Sequence, residues 1–523
     1  MYKYKDRYLI FNGLTHAQSQ LIYNRSNHVT LTSYQTQFQR ISDIQSCSLL
    51  ICGSSASLKM GPTFSDYIID ISKVNNTENL SSKIPLNVRS VTIFEWQDNL
   101  AFDISDSRIS QLEIRCDNLK ILPGSLPNTL ETLNHSNQRP VFNAHVLPNT
   151  IKYMTADYRQ QELAPGLLPQ SLERLSLLFN GNTLKEHPLP DNLKVLHICT
   201  FNMVAPKIDI GQLPRSLETL TLDYKIVDNI ENLSILSQFQ RLTTIECNFE
   251  WLSSLPPSIT TLRFTKCSLG GIYIEPSVIP STITNLDFGG MKLFRLKPGS
   301  IPLSVTKLSL GYFGYFLEPG VIPIGVRELD TFLSFSNISF GSIPNTVQSL
   351  KLSKYSDGAE SESAFLGILS LPSIKKLSFD TEKEISRFPP NLELLKLTGN
   401  NNQLLHSSLP PTLKNLILYQ IILVKDVCED SAHQQPQRLT MNVDSSFFRE
   451  NTLEDLPISV EIIRINGNIE LRRYNQSSIF IGYNRDYLVN GGFIESTQHL
   501  RDLINNRVFK RHIINERIAK IIT

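Results

Sequence analysis

Apolar and polar residues alternate along this chain in a phrase that returns every 21 or 22 residues in its clearest copies. Written from its proline, the phrase is Pro-x-(Ser/Thr)-Φ-x-x-Φ-x-Φ, where Φ is an apolar residue. In the copy at Pro302 the apolar positions are Val305, Leu308 and Leu310. One residue separates Leu308 from Leu310, which places both side chains on the same face of a β-strand. Each copy therefore predicts a turn at the proline followed by a short strand.

The even spacing of the copies predicts the architecture. A fixed period of this length is typical of solenoids of the leucine-rich-repeat type. One such unit cannot bury its apolar side chains alone, so it must stack on its neighbours. We therefore expect a repeat solenoid: a leucine-rich-repeat-like arc of about twenty short parallel β-strands with an irregular convex side, plus a C-terminal amphipathic helix. The prolines that set the period are Pro127, Pro148, Pro169, Pro190, Pro280, Pro302, Pro323 and Pro344.

Changes in the quality of the phrase divide the chain into three predicted regions. Residues 1–84 lack the proline phrase and are expected to be degenerate repeats that form an N-terminal cap. Residues 85–481 form the solenoid, and residues 482–523 form a basic helical tail or cap. The Gly-Gly-Phe-Ile sequence at 491–494 is expected to be a turn that precedes this helix.

The predicted tail helix combines an apolar stripe with basic residues. Phe509, Ile513 and Ile518 stand at 1-5-10 spacing, and Lys510 and Arg511 lie among them. An amphipathic helix of this kind suits a groove such as that of calmodulin. The same stripe would also pack on the open end of the last repeats as a cap, or lie on a membrane surface. The sequence leaves these three interpretations open.

Residues that point outward from neighbouring strands form a row along the sheet. In this row Glu246, Arg263 and Asp287 alternate in sign, and Glu328 and Asp330 are close by. One interpretation is that these residues form an acidic stretch that binds a basic partner. The other is a set of solvated strand residues that pair with each other across the ladder.

The chain lacks the sequence motifs of the common catalytic and metal sites. Its ten histidines do not approach metal-ligand spacing with cysteines or carboxylates, and His197 stands alone on its predicted strand. It contains no Gly-rich phosphate loop, no Gly-x-Ser-x-Gly elbow and no His-Glu-x-x-His motif. We therefore expect no enzyme activity, no cofactor and no metal.

Composition narrows the class of partner and the compartment. The 523 residues include 50 basic and 49 acidic side chains, a net charge of +1, which gives no general attraction to nucleic acid. No apolar run approaches the length needed to span a bilayer. The seven cysteines are scattered and odd in number, and the first residues do not form a secretory signal. We expect a cytoplasmic monomer with reduced thiols and an unknown protein partner.

The phrase, with Pro-Gly just before it and Phe-Asn after it, resembles the FNIP repeat family. These are leucine-rich-repeat-like proteins of social amoebae and of giant viruses that infect amoebae. The resemblance covers roughly residues 85 to 470, and residues 165–177 (Pro-Gly-Leu-Leu-Pro-Gln-Ser-Leu-Glu-Arg-Leu-Ser-Leu) match closely. Prolines are missing near Phe239 and Ser107. The resemblance implies an interaction solenoid and supplies no catalytic residues.

The expected function is a non-enzymatic scaffold that holds a protein partner on the concave face of the solenoid. An alternative is a substrate-recognition adaptor of a ubiquitin ligase, although the F-box of some relatives is not visible in this sequence. A second alternative is calmodulin-type binding by the tail.

Overall fold

The computed structural model describes most of the repeats. The described residues form two compact units, one within Thr32–Lys266 and one within Cys267–Thr523. We call them the N-terminal unit and the C-terminal unit. The described residues are 47–52, 66–70, 84, 88–93, 102–115, 119–135, 143–158, 165–179, 189–200, 206–265, 273–289, 294–311, 316–332, 338–355, 365–381, 385, 387–405, 408–424, 436, 438–444, 447–453, 456, 459–466, 469–473, 479–485, 488–494 and 500.

The N-terminal unit consists of short strands joined by turns and 3₁₀ helices. The 3₁₀ helices are Ile210–Gln212, Leu233–Gln238 and Phe249–Ser254. Its strands are β1 (Cys47–Cys52), β2 (Asp66–Asp70), β3 (Val88–Ile93), β4 (Gln111–Ile114), β5 (Thr132–His135), β6 (Tyr153–Tyr158), β7 (Arg174–Phe179), β8 (Val195–Cys199), β9 (Ile208–Asp209), β10 (Thr219–Leu222), β11 (Ile230–Glu231), β12 (Thr244–Cys247) and β13 (Thr261–Phe264).

Among its described residues, the C-terminal unit continues the same pattern and includes a short helix, α1 (Phe447–Glu450), and a helical stretch at residues 365–369. Its strands are β14 (Tyr273–Ile274), β15 (Asn285–Asp287), β16 (Arg295–Leu296), β17 (Lys307–Gly311), β18 (Glu328–Thr331), β19 (Ser349–Tyr355), β20 (Lys376–Thr381), β21 (Leu394–Leu405), β22 (Asn415–Val424), β23 (Leu439–Val443), β24 (Val460–Ile465), β25 (Ile469–Arg473), β26 (Ile479–Arg485) and β27 (Leu488–Ile494).

Neighbouring repeats pair as parallel strands in the register that the apolar pattern predicts. In β17 and β18, Leu308 lies opposite Leu329. The inward residues Leu308, Leu310 and Leu329 are buried, whereas Ser309 between them is partly exposed. Burying such aliphatic side chains contributes roughly 2 kcal/mol each, and every repeat adds its own set. The prediction of a leucine-rich-repeat-like solenoid of short parallel strands is confirmed.

In eight of the described repeats, the side-chain hydroxyl of the Ser or Thr in the phrase forms a hydrogen bond with the preceding repeat. After the proline a turn closes, as where Val305 N–H donates to the Pro302 carbonyl at 3.1 Å. The side-chain hydroxyl then donates, at 2.6–3.0 Å, to the carbonyl of the equivalent Φ residue one repeat earlier. The donor and acceptor pairs are Thr129 and Ile109, Thr150 and Leu130, Ser171 and Ile151, Ser216 and Leu193, Ser258 and Leu242, Ser304 and Ile283, Thr346 and Val326, and Thr412 and Leu392.

Some copies have no hydroxyl at this position, as at Gly325, and two copies that have a serine there lack the contact. The hydroxyls of Ser373 and Ser459 are buried and have no hydrogen-bond partner among the described residues. Both lie in the C-terminal unit, where Ser373 follows the polar insertion at residues 356–363. The contact does not require an even period, because donor and acceptor are 16 residues apart for Ser258 and Leu242 and 23 apart for Ser216 and Leu193.

Pro-Gly turns place a residue in the left-handed region of backbone space. Gly299 follows Pro298 with a φ of 86°, and Ser277 occupies the same turn position one repeat earlier with a φ of 67°. Left-handed backbone costs a residue with a Cβ about 1–2 kcal/mol, while glycine costs about 0.5–1 kcal/mol in lost chain entropy. A Cβ on Gly299 would meet Pro276 Cβ at 3.5 Å, which is an ordinary contact. The energetic cost of the left-handed backbone therefore decides how alanine at this position changes the free energy of unfolding.

We expect opposite effects from exchanging these two residue types. Gly299→Ala should lower the free energy of unfolding by about 0.5–1 kcal/mol, and Ser277→Gly should raise it by a similar amount. Urea denaturation of the two variants measures both changes. Two shifts of the same sign would contradict this account of the turns.

The end of the described ladder differs from the prediction. β25, β26 and β27 pair in antiparallel fashion, beginning with Ile465 opposite Ile469. Only three residues join β24 to β25, which is too short for a parallel crossover, and Asn466 takes a left-handed φ of 50° there. Residues 491–494 belong to β27, so the turn expected at that sequence is wrong. The antiparallel strands cover the edge that β24 would otherwise expose.

The start of the ladder also has an order that the sequence did not predict. β1 pairs in parallel with both β2 and β3, so β2 lies outside β1.

At the other end of the chain, Leu500 is helical and buried. Residues 501–523, which carry the predicted amphipathic helix, lie outside the described residues. Among the residues described, no helix is both long and apolar enough to cross a membrane.

Candidate functional site

Within each unit, the residue just before each strand of the parallel ladder belongs to a row, which we call the entry row. In this row a backbone N–H donates to the carbonyl of the entry residue one repeat earlier, as from Lys375 to Gln348 at 2.8 Å and from Gln348 to Arg327 at 2.7 Å. Successive members are therefore about 4.8 Å apart, the spacing of hydrogen-bonded strands. In the N-terminal unit the row includes Ser110, Glu131, Lys152, Glu173, Lys194, Glu218, Thr243 and Thr260, and in the C-terminal unit Thr284, Thr306, Arg327, Gln348, Lys375, Glu393 and Lys414.

In the N-terminal unit, lysines and glutamates of the entry row form ion pairs with each other. Lys152 Nζ lies 3.1 Å from Glu131 Oε1, and Lys194 Nζ lies 2.8 Å from Glu173 Oε2. The hydrogen bond to Glu131 raises the pKa of Lys152, and the bond between Lys194 and Glu173 raises the pKa of the lysine and lowers that of the carboxyl. Acid and base alternate from Glu131 to Glu218, so this edge carries little net charge for a ligand.

In the C-terminal unit the entry row is cationic and borders an open groove of about 620 Å³. Arg327, Lys375 and Lys414 line this groove together with a single carboxylate, Glu393. Lys414 Nζ contacts Glu393 Oε2 at 2.8 Å, and this hydrogen bond, followed by the attraction of nearby lysines, lowers the pKa of Glu393. We call the groove with these four residues the entry groove.

Two of these cations form no ion pair with a carboxylate among the described residues. They are Arg327, which donates from Nη1 to the Thr346 carbonyl at 3.3 Å, and Lys375. Gln348 separates them where an acid would continue the alternation seen in the other unit. The groove therefore presents a net positive charge.

The structure places four of the outward residues singled out from the sequence in ion pairs. In the N-terminal unit Glu246 Oε2 lies 4.0 Å from Arg263 Nη1. In the C-terminal unit Glu328 pairs with Lys307 at 3.2 Å, and Asp330 pairs with Lys351 at 2.8 Å. Asp287, the remaining one, accepts the backbone N–H of Gly289 at 2.8 Å. These contacts are those of residues that pair across the ladder, and a binding role for them stays a prediction.

Exposed aromatic rings lie beside charged residues on the outward face of the C-terminal unit. Phe332 is 47% exposed, and Lys351 Nζ lies 5.4 Å from the centre of its ring. Lys396 Nζ lies at 5.5 Å from the ring of Tyr419, which is also exposed. Because the backbone N–H of Phe332 donates to the Gly311 carbonyl at 3.0 Å, the ladder holds this aromatic residue in place.

His197 has neighbours that the sequence did not predict. Its Nε2 lies 3.1 Å from Cys199 Sγ, and its Nδ1 lies 3.4 Å from Ser176 Oγ. Burial lowers the pKa of His197 and raises that of the Cys199 thiol, so both groups are neutral near pH 7 and the thiol is not activated. No cluster of three or more metal-ligating side chains occurs in the described part of the chain.

The tail residues singled out from the sequence cannot be placed. Phe509, Lys510, Arg511, Ile513 and Ile518 all lie outside the described residues. Their role as a cap or a docking helix stays a prediction.

Sequence reasoning missed the entry groove because it examined only the residues between the inward positions of each strand. The signal was present one residue before each strand, where Arg327, Lys375 and Lys414 recur in every second repeat. The loss of alternation at Gln348 could have been noticed, but the neighbours of each charge depend on the register of the strands.

Comparison with known proteins agrees with this geometry. Residues 295–330, which contain β16, β17 and most of β18, match the family model of the FNIP Repeat. No curated protein sequence matches the chain. The structure of CroV588, described as a novel circular LRR protein, is similar with a TM-score of 0.43 and 17% identity, over 86% of this chain and 67% of that one.

A second similar structure is the functional domain of InlJ from Listeria monocytogenes, described as including a cysteine ladder. It has a TM-score of 0.28 and 13% identity, over 78% of this chain and 84% of that one. The family match and the parallel ladder carry the assignment without these two structures. The chain carries an FNIP repeat at residues 295–330, and its repeats form a leucine-rich-repeat-like solenoid.

Proposed function

We propose that this protein is a non-enzymatic scaffold that binds a protein partner on the exposed face of its parallel sheet. The observation that carries the proposal is the surface around Phe332. An exposed ring is held there between ion-paired charges on rigid strands, with Asp330 and Lys351 beside it. Aromatic anchors surrounded by polar groups are the residues that supply most of the affinity in protein interfaces.

The chemistry of the other exposed groups favours binding over catalysis. Where His197 contacts Cys199, the thiol is not activated, because burial raises the pKa of Cys199. The thiols of Cys199 and Cys247 are free, which favours the reducing environment of the cytoplasm.

The test removes the aromatic anchor and leaves the ladder intact. Phe332→Ser and the wild-type protein are immobilised, and proteins captured from an extract of the native cells are quantified by mass spectrometry. We expect at least one captured protein to fall tenfold or more with Phe332→Ser, because an anchor ring is worth about 1.4 kcal/mol or more. Direct binding of that protein, once purified, is then measured by calorimetry.

A matched control replaces Tyr224, an exposed aromatic residue of the N-terminal unit, with serine. Tyr224→Ser should capture the same partner as the wild type. If capture is indifferent to Phe332→Ser, or if both variants lose the same proteins, the proposed binding face is wrong.

A further inference from the structure

The cations of the entry groove lie two repeats apart. Arg327 and Lys375 are separated by Gln348, and Lys375 and Lys414 are separated by Glu393. With about 4.8 Å between successive strands, each pair of cations is about 9.6 Å apart along the edge of the sheet. A peptide in the polyproline II conformation advances about 3.1 Å per residue with three residues per turn, so every third side chain recurs on the same face at about 9.3 Å. The two spacings match.

We propose that the entry groove binds an acidic peptide segment in the polyproline II conformation, with carboxylates at positions i, i+3 and i+6 facing Arg327, Lys375 and Lys414. This surface is separate from the outward face proposed above to bind a partner. The open groove of about 620 Å³ accommodates an extended backbone. Arginine and lysine at fixed spacing recognise carboxylates by charge-assisted hydrogen bonds.

The three cations do not contribute equally. Lys414 is held by Glu393 at 2.8 Å in the free protein, so a peptide carboxylate must compete with that contact. Arg327 and Lys375 have no such competitor among the described carboxylates. The affinity should therefore depend more on Arg327 and Lys375 than on Lys414.

An apolar step at one end of the groove favours a peptide over other polyanions. Leu303 is 74% exposed and Ile324 is 71% exposed, and they occupy the same position in neighbouring repeats. A Cβ on Gly325 would approach the Leu303 carbonyl at 2.3 Å, so glycine lets the two repeats pack closely beneath this pair. An aliphatic side chain of the peptide, placed before the first carboxylate, would cover Leu303 and Ile324.

The entry row of the N-terminal unit contains ion pairs that the entry groove lacks between Arg327 and Lys375. In that row each lysine lies beside a glutamate that binds it, as Lys194 does with Glu173. In the C-terminal unit Gln348 replaces the acid between two cations. The excess of positive charge in the row is thus local to the entry groove, in a chain whose net charge is only +1.

The experiment titrates the full chain with fluorescent peptides and measures anisotropy. The test peptide carries two leucines followed by glutamates at i, i+3 and i+6 in a Gly/Ser/Thr background. A second peptide has the same composition with the three glutamates adjacent, and a third has glutamine in their place. We expect the spaced peptide to bind at least fivefold more tightly than the clustered one, with an affinity that falls as salt is raised.

Charge reversal provides the decisive comparison. The double variant Arg327→Glu/Lys375→Glu should bind the spaced peptide at least tenfold more weakly and should gain affinity for a peptide with lysines at those positions. The double variant Lys120→Glu/Arg241→Glu, at two exposed sites in the N-terminal unit, makes the same change in net charge and should leave binding unchanged. Circular dichroism verifies that each variant is folded.

Three outcomes would overturn the proposal: equal binding of spaced and clustered peptides, no rescue by the lysine peptide, or tighter binding of a single-stranded oligonucleotide than of the spaced peptide. The variants that test the outward face leave the entry groove unchanged, so failure of one proposal does not imply failure of the other. Loss of partner capture with Phe332→Ser, together with unchanged peptide affinity, would separate the two surfaces.

Discussion

Replacement of Phe288 by alanine is expected to lower the free energy of unfolding by about 3–5 kcal/mol, the usual cost of removing a buried phenylalanine. The rings of Phe288 and Phe294 are both fully buried and stack with their centres 4.6 Å apart. The pair fills the space behind β15, where neighbouring repeats bury their apolar side chains. Alanine would leave a cavity and also remove the stacking contact.

Leu303→Ala is the matched control for this prediction, because Leu303 belongs to the same unit but is largely exposed. It should change the free energy of unfolding by no more than about 0.5 kcal/mol. Both variants are measured by urea denaturation, following the transition of the C-terminal unit. A loss below 1 kcal/mol for Phe288→Ala would show that the repeat core tolerates the cavity by collapsing around it.

Asn451→Ala is expected to lower the free energy of unfolding by about 2–3 kcal/mol, because it leaves a buried donor without a partner. The buried Asn451 accepts the backbone N–H of Leu423 at 3.0 Å through Oδ1 and donates from Nδ2 to the Phe447 carbonyl at 2.8 Å. The side chain thereby joins α1 to the backbone of β22. Urea denaturation again measures the loss.

An exposed asparagine in the same unit provides the comparison. Asn391 Nδ2 donates to the Pro372 carbonyl at 2.8 Å, but water can replace that contact. We expect Asn391→Ala to cost about 0.5 kcal/mol or less. Equal losses for the two variants would contradict the view that burial sets the cost of the missing hydrogen bond.

The two proposed binding surfaces use different features of one repeat. The outward face presents residues between the inward positions, such as Asp330, and depends on an exposed aromatic ring. The entry groove presents the residue before each strand and depends on the spacing of charges. A solenoid can carry both, because each position of the phrase is repeated along the ladder.

Part of the proposed binding surface was already predictable from the sequence. The outward positions of Glu328 and Asp330 follow from their alternation with buried Leu329, since side-chain direction on a strand is local. Their ion pairs with Lys307 and Lys351 join neighbouring repeats and needed the register. The contact of His197 with Cys199 was harder to predict from the sequence, because it depends on how far each side chain is buried.

The sequence by itself determined the repeated unit: the turn at the proline, the strand after it, the inward leucines and the parallel stacking of neighbours. These features follow from local periodicity and from the inability of one repeat to bury its apolar side chains alone. Only the tertiary structure decided the antiparallel end of the ladder, the hydroxyl contact of Thr412 with Leu392, and the cationic groove between Arg327 and Lys414. Those features join residues of different repeats, and register and connection length set such contacts.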